Sequence, residues 1–192
     1  MTPPTLLVVS GGPGTGKTTL AHALARELGC PAIVRDEIKQ GMVLSTQGHR
    51  SGGDDPLNRP TLEAFFGVLE VLLRAGVTIV AEAAFQDRLW RPNLEPLVEL
   101  ARIRVVRCVT SAAIAHDRIV RRVEADAHRA AHGDRELLAA IARGERSLES
   151  FVPISLDVPT LTVDTSDGCT PGVRDIAAFA AAGRPTPPAT SG

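Results

Sequence analysis

The chain has 192 residues, 44% of them apolar and 22% charged, and a formal net charge of −1. Its length suits one domain, which we predict over residues 1–182, and its near-neutral charge excludes a global attraction to nucleic acid or to an anionic membrane. The first apolar run is too short for a signal peptide or a membrane span, and the cysteines lack zinc-site spacing, so we expect a reduced cytoplasmic protein with no membrane partner.

Short apolar runs alternate with amphipathic segments, a pattern that predicts an α/β domain with a parallel sheet. The strands are expected at residues 5–10, 31–34, 77–81, 103–109 and 161–164. The helices are expected at residues 17–28, 36–43, 62–73, 88–101, 112–124, 134–149 and 173–182.

Three segments lack this periodicity. A loop is predicted at residues 45–59. Asp54 and Asp55 within it are interpreted as keeping the loop soluble, and binding of a metal or a cationic substrate is the alternative. Residues 125–133 predict a small lid between two helices, and residues 183–192 a disordered tail. His128 and His132 have the spacing of metal ligands on a helix, but no third ligand is evident, so zinc is not expected.

The strongest motif directly follows the first predicted strand. It matches G-x-x-x-x-G-K-[ST] at Gly11, Gly12, Pro13, Gly14, Thr15, Gly16, Lys17 and Thr18, with Thr19 next in the helix. Its glycines let successive N–H groups point at one anion beside the positive end of a helix. Lys17 would neutralise the terminal phosphates, and the Thr18 hydroxyl would ligate Mg²⁺. The motif predicts triphosphate binding, but kinases, GTPases and motor ATPases share it.

Two carboxylates follow other predicted strands, where a parallel sheet opens onto its ligand crevice. Asp36 lies two residues past the second strand and could orient an acceptor hydroxyl and accept its proton. It could instead, or also, cap the short helix. Glu82 ends the third strand and could hold Mg²⁺ through water, act as the base if Asp36 only binds substrate, or be a solvated acid.

Arg118 and Arg122 lie four residues apart on a predicted helix, so both could reach one anion, although a solvated helix face is the alternative. Neither lysine of the chain, Lys17 or Lys39, belongs to the guanine-specifying motif N/T-K-x-D, which argues against a GTPase. The chain is also too short for the two modules of a remodelling AAA ATPase. ATP with Mg²⁺ is therefore the expected cofactor pair.

The phosphate-binding motif, the segment from Val34 to Lys39, the segment that begins at Val80 and contains Glu82, and the arginine helix together resemble one group of enzymes. These are the P-loop kinases of the polynucleotide kinase, zeta toxin and chloramphenicol phosphotransferase group, often catalogued as AAA family ATPases. The resemblance covers about residues 6–164. It implies a P-loop NTPase fold with a five-stranded parallel sheet in the order 2-3-1-4-5 and helices on both faces.

The same resemblance implies roles for individual residues. Asp36 would take the acceptor proton, and Arg118 and Arg122 would clamp the phosphates and neutralise charge in the transition state. The segment at residues 164–166 would lie beside the adenine ring of the nucleotide. Lys39 stands where the related enzymes usually carry an arginine that binds substrate phosphate, a departure that weakens the case for a phosphorylated acceptor.

These observations predict transfer of the γ-phosphoryl group of MgATP to a hydroxyl of a small molecule, such as an antibiotic, a nucleoside or a sugar nucleotide. With 3% aromatic residues, no tyrosine and one tryptophan, Trp90, the chain offers few stacking platforms for a polynucleotide 5′-hydroxyl, which is the less favoured acceptor. A nucleotide-dependent switch that acts through a partner, with residues 45–59 as the partner surface, is the alternative from another class.

Overall fold

A computed structural model describes residues 2–46, 55–125 and 133–182 of the chain. Its strands are β1 (Thr5–Ser10), β2 (Ala32–Val34), β3 (Ile79–Glu82), β4 (Arg102–Val109) and β5 (Thr160–Asp164). They form one parallel sheet in the order β2-β3-β1-β4-β5. The expected fold class and strand order are confirmed.

The helices are α1 (Lys17–Leu28), α2 (Arg35–Leu44), α3 (Asn58–Arg74), α4 (Asp87–Leu94), α5 (Ala112–Ala125), α6 (Asp134–Ala142) and α7 (Val173–Ala181), with 3-10 turns at Glu95–Glu99 and Leu148–Ser150. Two predicted helices were too long. The helix expected to reach residue 101 changes to a 3-10 turn at Pro96, which has no N–H to continue the helical bonds. The helix expected to reach residue 149 stops before Gly144, which has a φ of 72° and donates to the Ile141 carbonyl at 2.9 Å.

Both faces of the sheet are covered, which explains the uninterrupted apolar run of β1. Leu6 and Val8 pack on one side with residues of α3 and α4, whereas Leu7 and Val9 pack on the other side with residues of α1 and α7. All four side chains are fully buried. A strand in this position needs apolar residues at successive positions rather than an alternation.

The register of the central strands brings three chain segments to one edge of the sheet. Glu82 at the end of β3 pairs with Val9 of β1 and with Val34 of β2. The chain leaves β1 here into the glycine-rich loop and leaves β2 into α2. The carboxyl ends of β1, β2 and β3 therefore form the crevice that the sequence predicted.

Several sequence-based expectations concern residues outside the described part of the chain. These are residues 126–132 of the lid predicted at residues 125–133, with its histidines, the tail at residues 183–192, and Asp54 with most of the predicted loop. Within the residues that are described, no helix combines the length and the apolar character needed to cross a membrane.

Candidate active site

The loop between β1 and α1 wraps around the amino end of α1. Gly16 occupies the cap position of α1 in a left-handed conformation, and no acidic residue lies in the first turn of the helix. The Thr15 hydroxyl donates to the Gly12 carbonyl at 2.8 Å and closes the loop on itself. The positive end of the helix dipole is thus left to an external anion, as a phosphate site requires.

Gly14 is the loop position at which a side chain is least tolerable. Its φ is 75°, and a Cβ there would collide with the backbone carbonyl of Ala115 in α5. Loop and helix are therefore in contact through backbone atoms that cannot easily move. The absence of a side chain at Gly14 is a requirement of packing as well as of conformation.

We expect Gly14→Ala to weaken ATP binding by roughly 10-fold or more. The collision should also lower the free energy of unfolding by about 1–3 kcal/mol, in addition to the cost of placing alanine at a positive φ. The matched control is Gly29→Ala, because Gly29 also has a positive φ, of 65°, but nothing within 4 Å of the added Cβ. It should cost about 1 kcal/mol of stability and leave ATP affinity unchanged. Calorimetric titration and thermal unfolding of both variants measure the difference, and equal effects would contradict the collision.

Glu82 lies beneath the loop, against the two residues expected to meet the phosphates and the metal. The Thr18 hydroxyl donates to its Oε2 at 2.7 Å, and the Lys17 Nζ lies 3.8 Å from its Oε1. Glu82 is only 2% exposed, so its interpretation as a solvated acid was wrong. Burial raises the pKa of the Glu82 carboxyl, an effect that the Lys17 ammonium and the Thr18 hydroxyl only partly offset.

These residues fit Mg²⁺. A hydroxyl and a carboxylate present adjacent oxygen atoms, which are the ligands Mg²⁺ prefers. No group of three or more acidic, histidine or cysteine side chains suited to a metal occurs in the described ranges. A Mg²⁺ ion held by Thr18 and Glu82 would therefore draw its remaining ligands from phosphates and water, as is usual for this ion.

Asp36 lies in the first turn of α2, on the open side of the same crevice. The cap position of α2 is Val34, so Asp36 is not the helix cap and that interpretation was wrong. The Arg35 Nη1 donates to its Oδ1 at 3.0 Å, and 39% of its side chain is exposed. Asp36 is therefore accessible to an acceptor molecule in the open cleft, whereas Glu82 is buried.

A cleft of about 560 Å³ joins these features. It lies between the glycine-rich loop, α2, the amino end of α3, and α6 with the turn that follows. Its lining includes Pro13, Lys17, Thr18, Arg35, Asp36, Lys39, Asp55, Asn58, Ala84, Trp90, Arg122, Asp134, Glu136, Arg143, Glu145 and Arg146. Of the predicted site residues, Pro13, Lys17, Thr18, Asp36, Lys39 and Arg122 therefore line one cavity, whereas the buried Glu82 does not.

Lys39 and Asp55 form a buried ion pair in this cleft. The Lys39 Nζ lies 2.7 Å from Asp55 Oδ2 and donates to Asn58 Oδ1 at 3.0 Å. Lys39 is 7% exposed and Asp55 6% exposed. The interpretation of Asp55 as a solubilising loop residue was therefore wrong.

The two arginines of α5 have different partners. Arg118 donates to the carbonyls of Gly14 and Thr165, and so connects the glycine-rich loop to the segment after β5. Arg122 makes two bonds to the Asp134 carboxylate, at 2.8 and 2.7 Å, and lines the cleft. The two guanidinium groups thus have different partners in this arrangement, and their contact with one anion stays a prediction.

Sequence reasoning missed some residues of the cleft. Arg35 and Asn58 hold the residues around Asp36, and Arg143 and Arg146 line the opposite wall. The position of Arg35 directly before Asp36 in the sequence could have indicated that the two side chains form an ion pair. Nothing in the local pattern of α6 indicates that the turn after it faces the phosphate-binding loop.

Taken together, a phosphate-binding loop after β1 of a parallel sheet in this order defines a P-loop nucleotide-binding domain of the kinase type. A family model described as an AAA domain matches residues 6–146, and the chain belongs to this family. A comparison with curated proteins found no match.

Solved structures agree with this assignment. A candidate kinase from Chloroflexus aurantiacus is 26% identical, with a TM-score of 0.75 over 92% of this chain and 96% of the other. A gluconokinase from Sinorhizobium meliloti is 19% identical, with a TM-score of 0.58 and 94% of each chain covered. An APS kinase from Mycobacterium tuberculosis, in complex with AMPPNP and APS, is 16% identical, with a TM-score of 0.58 over 93% of this chain and 96% of the other. The resemblance to the P-loop kinase group is confirmed.

Proposed function

We propose that this protein is a kinase that transfers the γ-phosphoryl group of MgATP to a hydroxyl of a small molecule. The observation that carries the proposal is that Asp36 lines the same cleft as Lys17 and Thr18. A hydroxyl held at Asp36 would face the phosphates held by the loop, which is the arrangement phosphoryl transfer needs. The APS kinase of the same fold, solved with AMPPNP and APS together, supports this use of the fold.

The transfer step follows from this arrangement. Asp36 orients the acceptor hydroxyl, whose oxygen bonds to the γ-phosphorus while the bond from that phosphorus to the β,γ-bridging oxygen breaks and ADP leaves. The hydroxyl proton passes to the Asp36 carboxylate. Lys17 and the loop amides neutralise the charge that develops on the transferred group. Arg122, whose side chain is 31% exposed at the cleft, adds its charge when it turns from Asp134 to the phosphates.

The two carboxylates that follow β2 and end β3, Asp36 and Glu82, are assigned different tasks. Glu82 is directed at Thr18 and Lys17 and is closed off from solvent, which suits a metal-holding group. Mg²⁺ held there would supply positive charge to the phosphates. Asp36 is the more exposed carboxylate on the open side of the cleft, which suits the group that meets the acceptor.

A small-molecule acceptor is favoured because the protein offers no stacking surface among its described residues. Trp90 is 5% exposed and packs against Phe65, Phe66 and Phe85, with ring centroids 4.9–5.8 Å from its own. The remaining aromatic residues, Phe151 and Phe179, are partly buried. Single-stranded nucleic acid is usually held by exposed aromatic rings, and those are missing here.

The proposal is tested by acceptor-dependent release of ADP. The protein is incubated with MgATP and separate pools of sugars and polyols, nucleosides, antibiotics, and oligonucleotides with a free 5′-hydroxyl. We expect at least one small-molecule pool to stimulate ADP release and to yield a phosphorylated product by mass spectrometry. Stimulation by the oligonucleotide pool alone would indicate a polynucleotide kinase, and ADP release equal with and without every pool would contradict the kinase assignment.

Arg122→Ala is expected to lower kcat by about 10²–10³ and to change ATP affinity much less, because its charge would act mainly on the transition state. Arg121→Ala is the matched control, since Arg121 is the adjacent residue of α5, is exposed and does not line the cleft. Steady-state kinetics and nucleotide titration of both variants separate the two effects. An unchanged kcat in Arg122→Ala would assign Arg122 to holding Asp134 only.

A further inference from the structure

Five polar residues form a connected group on the acceptor side of the cleft. We call this group, consisting of Arg35, Asp36, Lys39, Asp55 and Asn58, the acceptor-side network. Arg35 donates to Asp36 at 3.0 Å and to the Asn58 oxygen at 3.1 Å. Lys39 contacts the same Asn58 oxygen and the Asp55 carboxylate. Asn58 thus joins two ion pairs, of which one contains the proposed base Asp36 and the other, Lys39–Asp55, is more enclosed.

The network is balanced in charge. Its two cations, Arg35 and Lys39, each contact a carboxylate, so the four charged groups sum to zero. The Lys39–Asp55 pair is also the more enclosed of the two, with side-chain exposures of 9% and 3%. A lysine in this state presents no net positive charge to a ligand, because Asp55 already neutralises it at 2.7 Å.

A phosphate entering this part of the cleft would meet unfavourable electrostatics. It would have to displace Asp55 from Lys39, which breaks a buried ion pair, or lie close to two carboxylates. A hydroxyl group has no such difficulty. It can donate to a carboxylate and accept from a guanidinium without disturbing either ion pair.

We propose that the part of the acceptor bound by this network is an uncharged polyhydroxy group, and that Asp55 is the residue that excludes phosphorylated acceptors by neutralising Lys39. This inference rests on the proposed kinase function and specifies its substrate class. Asp55 acts here through Lys39, so it determines specificity without a part in the chemical step.

The first test compares acceptors that differ by one phosphate. Glucose with glucose 6-phosphate, and adenosine with adenosine 3′-phosphate, are used at saturating MgATP. We expect the wild-type protein to favour the uncharged member of any pair it accepts by roughly 10-fold or more in kcat/KM. A preference for the phosphorylated member in the wild type would overturn the proposal.

The second test uses Asp55→Asn, which keeps the shape of the side chain and removes its charge. The kcat/KM ratio of uncharged to phosphorylated acceptor should fall by about 10-fold, and adding Lys39→Met should cancel that change. An unchanged ratio in a folded Asp55→Asn protein would overturn the role of Asp55. If this variant does not fold, the wild-type comparison still decides whether phosphorylated acceptors are excluded.

A third measurement does not depend on catalysis. With Mg²⁺ and AMPPNP occupying the phosphate-binding loop, inorganic phosphate is titrated and thermal unfolding is followed. Phosphate should stabilise Asp55→Asn at concentrations roughly 10-fold lower than the wild type needs. Equal stabilisation of Asp55→Asn and the wild type by phosphate would overturn the inference. If phosphate stabilises Asp55→Asn at the expected lower concentrations but the protein phosphorylates no acceptor, only the kinase proposal is contradicted.

Discussion

Lys17→Ala should abolish nucleotide turnover and weaken ATP binding by roughly 100-fold or more. The Lys17 ammonium lies 3.5 Å from the Gly12 carbonyl and 3.8 Å from the Glu82 carboxylate, at the entrance of the loop. Without it, the triphosphate loses its mobile cation and meets Glu82 without a neighbouring positive charge. Both changes disfavour an anionic ligand.

Calorimetric titration with MgAMPPNP measures the loss of affinity, and release of ADP measures the loss of turnover. Arg26→Ala provides the matched control, because Arg26 is an exposed cation in the last turn of the same helix. The control should bind the nucleotide as the wild type does. Wild-type affinity and turnover in Lys17→Ala would mean that residues 11–18 do not form the phosphate site.

Asp36→Asn should lower the rate of phosphoryl transfer by about 10²–10⁴ while changing ATP affinity little. The amide keeps the shape of the side chain and can still accept the 3.0 Å bond from Arg35, so the local structure should persist. What is lost is the ability to accept the proton of the acceptor hydroxyl. The expected defect is therefore in kcat, measured by single-turnover transfer at saturating ATP.

Glu37→Gln is the matched control for Asp36→Asn. Glu37 is the next residue of α2, but it is exposed and contacts His22 at 2.7 Å on the surface. Its replacement should leave the transfer rate unchanged. If Asp36→Asn also leaves that rate unchanged, Glu82 becomes the candidate base, and its buried carboxyl with a raised pKa would need a route to the acceptor.

The elements that could be predicted from the sequence are those whose signals are local. The bounds of β1 and α1 match the expectation, because an uninterrupted apolar run and a glycine-rich motif define them without reference to the rest of the fold. The position of Asp36 near the loop was also foreseeable, since the ends of parallel strands share one edge. The strand order followed from the resemblance to P-loop kinases.

The details that could not be predicted from the sequence depend on tertiary contacts. Asp55 lies in a segment whose composition indicates only a loop, and its burial follows from where Lys39 sits, 16 residues earlier. Arg118 and Arg122 have the spacing of neighbours on one helix face, yet their long side chains reach different partners. Those partners, a carbonyl after β5 and a carboxylate of α6, come close to α5 only in the folded chain.

The fate of the γ-phosphoryl group tests the account most directly. The wild-type protein and Asp36→Asn are incubated with γ-labelled ATP, Mg²⁺ and the stimulating acceptor pool, and the label is divided between acceptor phosphomonoester and inorganic phosphate. We expect most of the label on the acceptor with the wild type, and transfer to the acceptor lowered by about 10²–10⁴ in Asp36→Asn. Label that goes only to inorganic phosphate, at the same rate in both proteins, would contradict a kinase that uses Asp36.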